Sequence, residues 1–480
     1  MSLKQQVIGG IKWTTASSVI TVILQLIQLG ILARLLEPSD FGLMAIASVV
    51  IGFSQLFIDM GVSNVIIFKQ KVSDKELSSL YWLSIIIGVV LFILVFLLSP
   101  LIANFYENAK LKPIIQIVAI TFFIKPWGQQ LMVILQKNMR FNDIAITDVF
   151  SRIISFISVI LLAYHGYGVF SLVYGTLVYA LVSTIGYNYF GRTLYQPQYH
   201  FKLSEVKEFL NFGLYQMGDK TINYFASEMD TILIGKLLGT EALGIYKVAK
   251  DLTIKPYSVI NPIITKVTFP LMSKMNNDIK RLKSLFIKTL GYLSNVNFPV
   301  YILLFILAKP IVLILFGDEW IKAIPIVQIL SITFALRSIG NPSGVLLLSL
   351  GKVNVAFYWG LAKFTLFPLA ILLGVPWGMQ GVAIAILILH ILFYFLNWRF
   401  IIKKTIKISF KEYTKIFQLP FILILIPSLL GYLISYIDLP PYFYIPLSVF
   451  VFGLSYLGLN IKFNSHQVNE LKNAIFNISK

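Results

Sequence analysis

Lys125 and Arg337 are cations set deep in apolar sequence, and their surroundings match. PIIQIVAITF from Pro113 to Phe122 aligns with PIVQILSITF from Pro325 to Phe334 at an offset of 212, and each cation follows its proline by twelve residues. In a membrane helix, a rise of about 1.5 Å per residue carries each charge about 18 Å in, close to the middle of roughly 30 Å of hydrocarbon. An ionisable group at that depth costs several kcal/mol on insertion scales, so it faces either a cavity or a partner. Fixed cations can hold an anion there, Arg337 as a planar fork and Lys125 as a point charge. Alternatively, one or both pair with an acid and tie helices together.

A second set of charges lies around position 230. Asp219, Lys220, Asn223, Glu228 and Asp230 occupy one predicted helix, and at about 100° per residue Asp219, Asn223 and Asp230 fall within about 40° of one another. Tyr215 and Gln216 flank that stripe, while Lys247, Lys250, Asp251 and Lys255 make a mostly basic stripe on the next predicted helix. Such faces do not look at lipid. They line a hydrated groove, in which a carboxylate can take up a proton or a sodium ion, or they build an ion-pair ladder between helices; the two can coexist. Asp148 and Arg152, four apart, read as a local pair on one helix. His390, alone on an apolar face, reads as a hydrogen-bonded core residue and not as a proton relay.

Composition dictates the elements that carry these residues. Of the 480 residues 57% are hydrophobic and only 13% charged, against about 25% charged in an ordinary soluble domain. Apolar runs of about 20 residues recur along the whole length, and LSIIIGVVLFILVFLLS is apolar all round instead of alternating. The chain is therefore an all-α polytopic membrane protein and not a barrel. Spans are predicted at about 12–34, 41–67, 79–103, 113–136, 144–164 and 168–190, then at about 207–238, 241–271, 285–308, 323–350, 354–374 and 379–402, and finally at about 416–437 and 442–461. About fourteen transmembrane helices result: an N-terminal six-helix lobe in 1–200, a C-terminal six-helix lobe in 201–404, and additional helices 13 and 14 in 405–480.

Charge supports this count. With both termini cytoplasmic, the outer segments hold only Arg34, Lys110, Lys112, Lys236, Lys309 and Lys322, and the other loop cations fall inside. The net charge of +19 thus follows the positive-inside rule and does not mark a nucleic-acid groove. The first apolar span is longer than a signal core and lacks a small-residue cleavage site, so it reads as an uncleaved helix. The absence of cysteine excludes disulfides, thiolate catalysis and Cys-based metal sites. The sequence carries no P-loop, GxSxG elbow, HExxH or clustered His or carboxylate metal site, so no enzyme activity, metal or cofactor is expected.

A further match joins LARLLEPSDFGLMAIA to the stretch 202 positions later, pairing Arg34 with Lys236, Leu36 with Leu238, Gly42 with Gly244 and Ala47 with Ala249. Together with the 212-residue offset it points to a duplicated unit. Six helices are an even number, so both copies enter the membrane in the same direction, and parallel repeats of this kind form two bundles around a midplane site, as in transporters. The copies differ in charge. Gln28 stands in the place of Asp230, and Met44 and Ala45 in those of Tyr246 and Lys247.

Five stretches form a specific set: ILARLLEPSDFGLMAIA after the first span, FIDMGVSNVIIFKQ at the end of the second, DTILIGKLLGTEALGIYKVAKDL across the seventh and eighth, PLMSKM closing the eighth, and LAKPIVLILFGDEW at the outer end of the ninth. With them the chain, over about residues 5–404, resembles the polysaccharide exporters and flippases of the multidrug, oligosaccharidyl-lipid and polysaccharide superfamily, O-antigen and colanic-acid exporters especially. The resemblance implies two six-helix lobes around a central cavity, and outward movement of a sugar chain on undecaprenyl pyrophosphate across the bacterial cytoplasmic membrane.

For such a cargo Arg337 and Lys125 clamp the pyrophosphate, while Lys247, Lys250 and Lys255 hold the lipid phosphate or acidic sugars. Asn223 and Tyr215 contact the cargo, Tyr224 and Phe225 stack on its rings, and Asp219 and Asp230 couple movement to Na+ or H+. The partners are then a lipid-linked oligosaccharide and membrane lipids, not nucleic acid. A cation-coupled small-molecule exporter or a peptidoglycan lipid-precursor flippase of the same fold is the alternative. A membrane polymerase or ligase would need a large outer loop, and the longest here are about ten to fifteen residues, an ordinary long connection.

Overall fold

Small polar residues share the helix contacts of this protein with large apolar ones. In the computed structural model, which describes residues 3–59, 66, 72–434 and 440–465, helix Asp74–Phe105 buries Ser78, Ser79, Ser84, Gly88 and Ser99 and turns Ile86, Val90, Leu97 and Leu101 outward. Leu80, Tyr81, Ile85 and Val95 are buried beside them, so large apolar side chains face both ways, unlike those of a water-soluble helix. Hydrocarbon offers no gain for burying leucine, whereas small side chains let two backbones approach and pack.

Every regular element among the described residues is helical, and the chain forms two compact units. The first, Met1–Lys247, holds α1 (Leu3–Ala33), α2 (Pro38–Asp59), α3 (Asp74–Phe105), α4 (Leu111–Ile124), α5 (Pro126–Lys137), α6 (Phe141–Tyr164), α7 (Val169–Gly191), α8 (Leu203–Leu237) and the start of α9 (Gly239–Lys274). The second, Val248–Lys480, holds the rest of α9, then α10 (Ile279–Ile306), α11 (Ala308–Leu315), α12 (Ala323–Gly340), α13 (Pro342–Ser349), α14 (Val353–Gly374), α15 (Gly378–Asn397), α16 (Phe410–Ile434) and α17 (Pro441–Phe463). Among the described residues ten segments are long and apolar enough to cross a membrane, or eleven when the bent pair α4–α5 is taken as one span. The protein is a multi-pass membrane protein.

The predicted helix over 113–136 breaks at Lys125. Pro126 has no N–H for the Phe122 carbonyl and its ring crowds that oxygen, so α4 and α5 diverge by 47°. Gly88 of α3 fits against the break, where a β-carbon would lie 2.5 Å from both the Phe122 oxygen and the Pro126 ring. The predicted span over 323–350 is present as one membrane-length segment, Ala323–Ser349, within which α12 ends at Gly340 and α13 starts at Pro342.

The polar connector between α7 and α8 is laid along the first turns of α3. Ser78 Oγ accepts from the Gln198 N–H at 3.1 Å, Ser79 Oγ from the Lys202 N–H at 3.0 Å, and Trp82 Nε1 donates to the Gln198 carbonyl at 2.8 Å. Near the C-terminal end, α16 and α17 pack on α10. Phe417 lies against Phe298 at 6.1 Å between ring centroids, and Tyr456 donates to the Asn295 carbonyl at 2.8 Å.

Candidate functional site

In the first unit the helix break sets Lys125 at the end of α4, half-buried, where its Nζ donates to Gln55 Oε1 of α2 at 3.3 Å. Arg152 of α6 lies close enough for the two charges to repel, and its guanidinium sits 4.4 Å from the centre of the Tyr179 ring on α7. The local pair expected between Arg152 and Asp148 is not a direct contact. Asp148 instead accepts a short hydrogen bond from the Tyr187 hydroxyl. The pairing rule comes from helices in water, and inside a bundle two tyrosines of the neighbouring helix reach both charges.

The α8 stripe is put to several uses. Asn223 is exposed, and its carbonyl accepts from Ser227 Oγ at 2.8 Å. Tyr224 and Phe225 are engaged with α2: the Tyr224 hydroxyl donates to the Val49 carbonyl at 2.8 Å, and the Phe225 ring lies 5.0 Å from that of Phe53. Asp230 is buried and accepts from the Tyr246 hydroxyl and the Thr231 N–H, both at 2.8 Å. Lys247, in the same unit, is half-buried. The side chains of Tyr215 and Asp219 lie outside the described residues.

In the second unit Lys250 is buried and Lys255 half-buried along α9. One residue beyond Lys255, Pro256 interrupts the helix ladder. The opening is closed by a side chain from α10, because the Tyr301 hydroxyl accepts from the Tyr257 N–H at 3.0 Å and donates to the Thr253 carbonyl at 3.2 Å. Such an insertion fixes a kink in place. It presents the Tyr257 ring to Arg337, whose guanidinium lies 5.3 Å from the Tyr257 centroid and 5.5 Å from that of Phe334. The Tyr257 hydroxyl accepts from Asn341 Nδ2 at 3.0 Å, at the junction of α12 and α13. A second cation, Lys363 of α14, lies within range of the Arg337 charge and 6.0 Å from the Trp359 ring. His390 Nδ1 contacts the Ile386 carbonyl of its own helix at 2.9 Å, the core arrangement expected of it.

Each unit thus sets a lysine and an arginine within electrostatic range of one another with aromatic faces beside them. A polysaccharide biosynthesis protein family matches this sequence over residues 31–325. The chain belongs to that family. It is 34% identical over 433 residues to the lipopolysaccharide biosynthesis protein WzxC of Escherichia coli K12, covering 90% of this chain and 88% of that one. It is 31% identical over 472 residues to the teichuronic acid biosynthesis protein TuaB of Bacillus subtilis 168, covering 96% of each. Its fold is similar to that of the lipid II flippase MurJ in an inward closed conformation, with a TM-score of 0.79 and 17% identity over 95% of this chain and 100% of the other.

Within this polysaccharide biosynthesis protein, sequence reasoning missed Lys363 and, for Arg152, named Asp148, which lies within electrostatic range, but not Tyr179 or Lys125. The signal for Lys363 was present, since it is a single cation inside VNVAFYWGLAKFTLFPLAILLG and obeys the same depth argument as Arg337. The signal for Arg152 was not, because its contact with Tyr179 joins two helices and depends on how they pack.

Proposed function

We propose that the chain flips an undecaprenyl-pyrophosphate-linked oligosaccharide or polysaccharide precursor across the bacterial cytoplasmic membrane by alternating access. The observation that carries this is the pair Arg337 and Lys363, two cations at membrane depth in the second unit, walled by Tyr257, Phe334 and Trp359 and without an ion-pair partner among the described residues. Charges placed so call for a group of opposite sign, and aromatic faces both steady cations and suit sugar rings. A pyrophosphate carrying sugars answers both. Lys125, Lys247, Lys250 and Lys255 add positive charge for the phosphates or acidic sugars, Asn223 and Tyr215 contact the cargo, and Asp219 and Asp230 couple movement to Na+ or H+.

The working parts are two six-helix lobes, residues 1–200 and 201–404, with helices 13 and 14 as an added pair and both termini in the cytoplasm. Two facts support fourteen helices: α8 and α9 are 35 and 36 residues long, ample to cross despite their charges, and the single apolar stretch Val353–Ile406 contains both α14 and α15. A reciprocal contact supports duplication. Gly42 meets Thr240, while Gly244 meets Pro38, and 202 positions separate Gly42 from Gly244 and Pro38 from Thr240 alike.

The test is transfer of a lipid-linked oligosaccharide between leaflets of proteoliposomes. Arg337→Ala should abolish transfer while membrane insertion is unaffected, and unchanged transfer would overturn the assignment. The likeness of fold to a lipid II flippase favours a second cargo, the peptidoglycan precursor; competition by that lipid in the same assay separates the two.

A further inference from the structure

We infer that the first unit contains a pocket for a single acidic group, a phosphate or a carboxylate, held between Lys125 and Arg152. The cavity lies among α1, α2, α4, α6 and α7, has a volume of about 260 Å³, and includes Gln28, Lys125, Arg152, Ser155, Thr176 and Tyr179 in its lining. Pockets for drug-sized ligands run from about 300 to 1,000 Å³. This one is too small for an oligosaccharide on its lipid, and large enough for a phosphate or one sugar acid.

The charges in it are unbalanced. Lys125 and Arg152 repel one another, Lys125 has the neutral Gln55 as its hydrogen-bond partner, and Asp148, one turn from Arg152 on α6, is bonded by Tyr187. Two cations and one carboxylate leave a net positive site inside the membrane, which is costly without a counter-charge. The donors agree with this. Arg152 Nε is buried and has no hydrogen-bond partner among the described residues. The hydroxyl protons of Ser155 and Thr176 are spent on the carbonyls of Gly175 and Val173, so the cationic groups are the pocket's principal donors. An acidic group, which brings acceptor oxygens and negative charge together, satisfies that set. A neutral sugar brings no charge to offset theirs.

The pocket deepens the proposed function in one respect: an acidic sugar or lipid phosphate of the cargo is one source of the anion, and free inorganic phosphate is the other. Its chemistry stands without that reading. The experiment titrates the purified full-length protein in detergent with inorganic phosphate and, separately, with glucuronate, following thermal unfolding. At least one anion should raise the unfolding temperature saturably, and Arg152→Gln should weaken its binding at least about tenfold, the loss of one charge-assisted hydrogen bond. Arg152→Lys, which keeps the charge and loses the fork, should fall between wild type and Arg152→Gln. Lys125→Gln provides the same reading from the other side of the pocket if the Arg152 variants do not fold. A response to glucuronate points to an acidic sugar, and a response to phosphate alone to a phosphate source. No saturable effect of either anion on wild type, or equal effects on wild type and variants, would overturn the pocket. Binding is read without cargo, so its failure leaves the flippase assignment standing, and a failure of transfer leaves the pocket standing.

Discussion

Gly42 of α2 and Gly244 of α9 meet backbone to backbone: a β-carbon on Gly244 would sit 3.0 Å from the Gly42 nitrogen and inside the Pro38 carbonyl, and one on Gly42 inside the carbonyl of Thr240. No flexible side chain lies in the way, so nothing can swing aside. Gly42→Ala and Gly244→Ala should each force the two helix ends apart and cost about 1–3 kcal/mol, as overpacking does. A lowered unfolding temperature in detergent is the readout, and wild-type stability in both variants would show that the contact opens freely.

Tyr301 is inserted into the ladder of α9 where Pro256 opens it. Tyr301→Phe keeps the ring and leaves the Tyr257 N–H and the Thr253 carbonyl without this partner. Two buried backbone groups left so should cost about 1–3 kcal/mol each at most, and the looser kink should displace the Tyr257 ring from Arg337. Stability and transfer should therefore fall together, whereas loss of stability with full transfer would separate the kink from the site.

Lys363 and Arg337 are like charges within electrostatic range of one another. Lys363→Met should reduce transfer at least tenfold yet leave the protein no less stable, because removing one of two repelling cations relieves the bundle. A destabilised variant that transfers normally would mark Lys363 as a packing residue.

Asp230 accepts from both Tyr246 and the Thr231 N–H. Asp230→Asn retains an acceptor oxygen, so its cost in stability should stay near about 1 kcal/mol while dependence of transfer on the ion gradient is lost. Tyr246→Phe is the control: it removes the bond, keeps the acid and should keep the dependence. Wild-type ion dependence in Asp230→Asn would count against coupling there.

Glu107, in the turn between α3 and α4, is exposed and receives a hydrogen bond from Lys236 at 2.6 Å, which holds its carboxyl below the usual glutamate range. A depressed carboxyl contributes stability that is complete above the ordinary value, near about 4.3, and lost as the pH falls through the lowered one. The difference in unfolding temperature between wild type and Glu107→Gln should be present at pH 7 and vanish in strong acid. A difference that persists in acid would mean that the side chain acts by something other than its charge.

The membrane class and the helical elements were legible in the sequence, because each depends on local quantities: the length of an apolar run and the rise of a helix. Proline positions were equally visible, yet what Pro126 and Pro256 do was not. At the first, α4 and α5 bend apart; at the second, a tyrosine hydroxyl from α10 closes the gap. Tertiary structure decided the partners. It turned Tyr224 and Phe225 toward α2, replaced the expected Asp148–Arg152 contact with tyrosines, and set Arg152 beside Lys125 and Lys363 beside Arg337. Lipid rewards no particular apolar face, so hydrophobic periodicity says little about which side of a membrane helix meets its neighbour; small residues and buried polar groups settle that, and they act only when two helices are brought together.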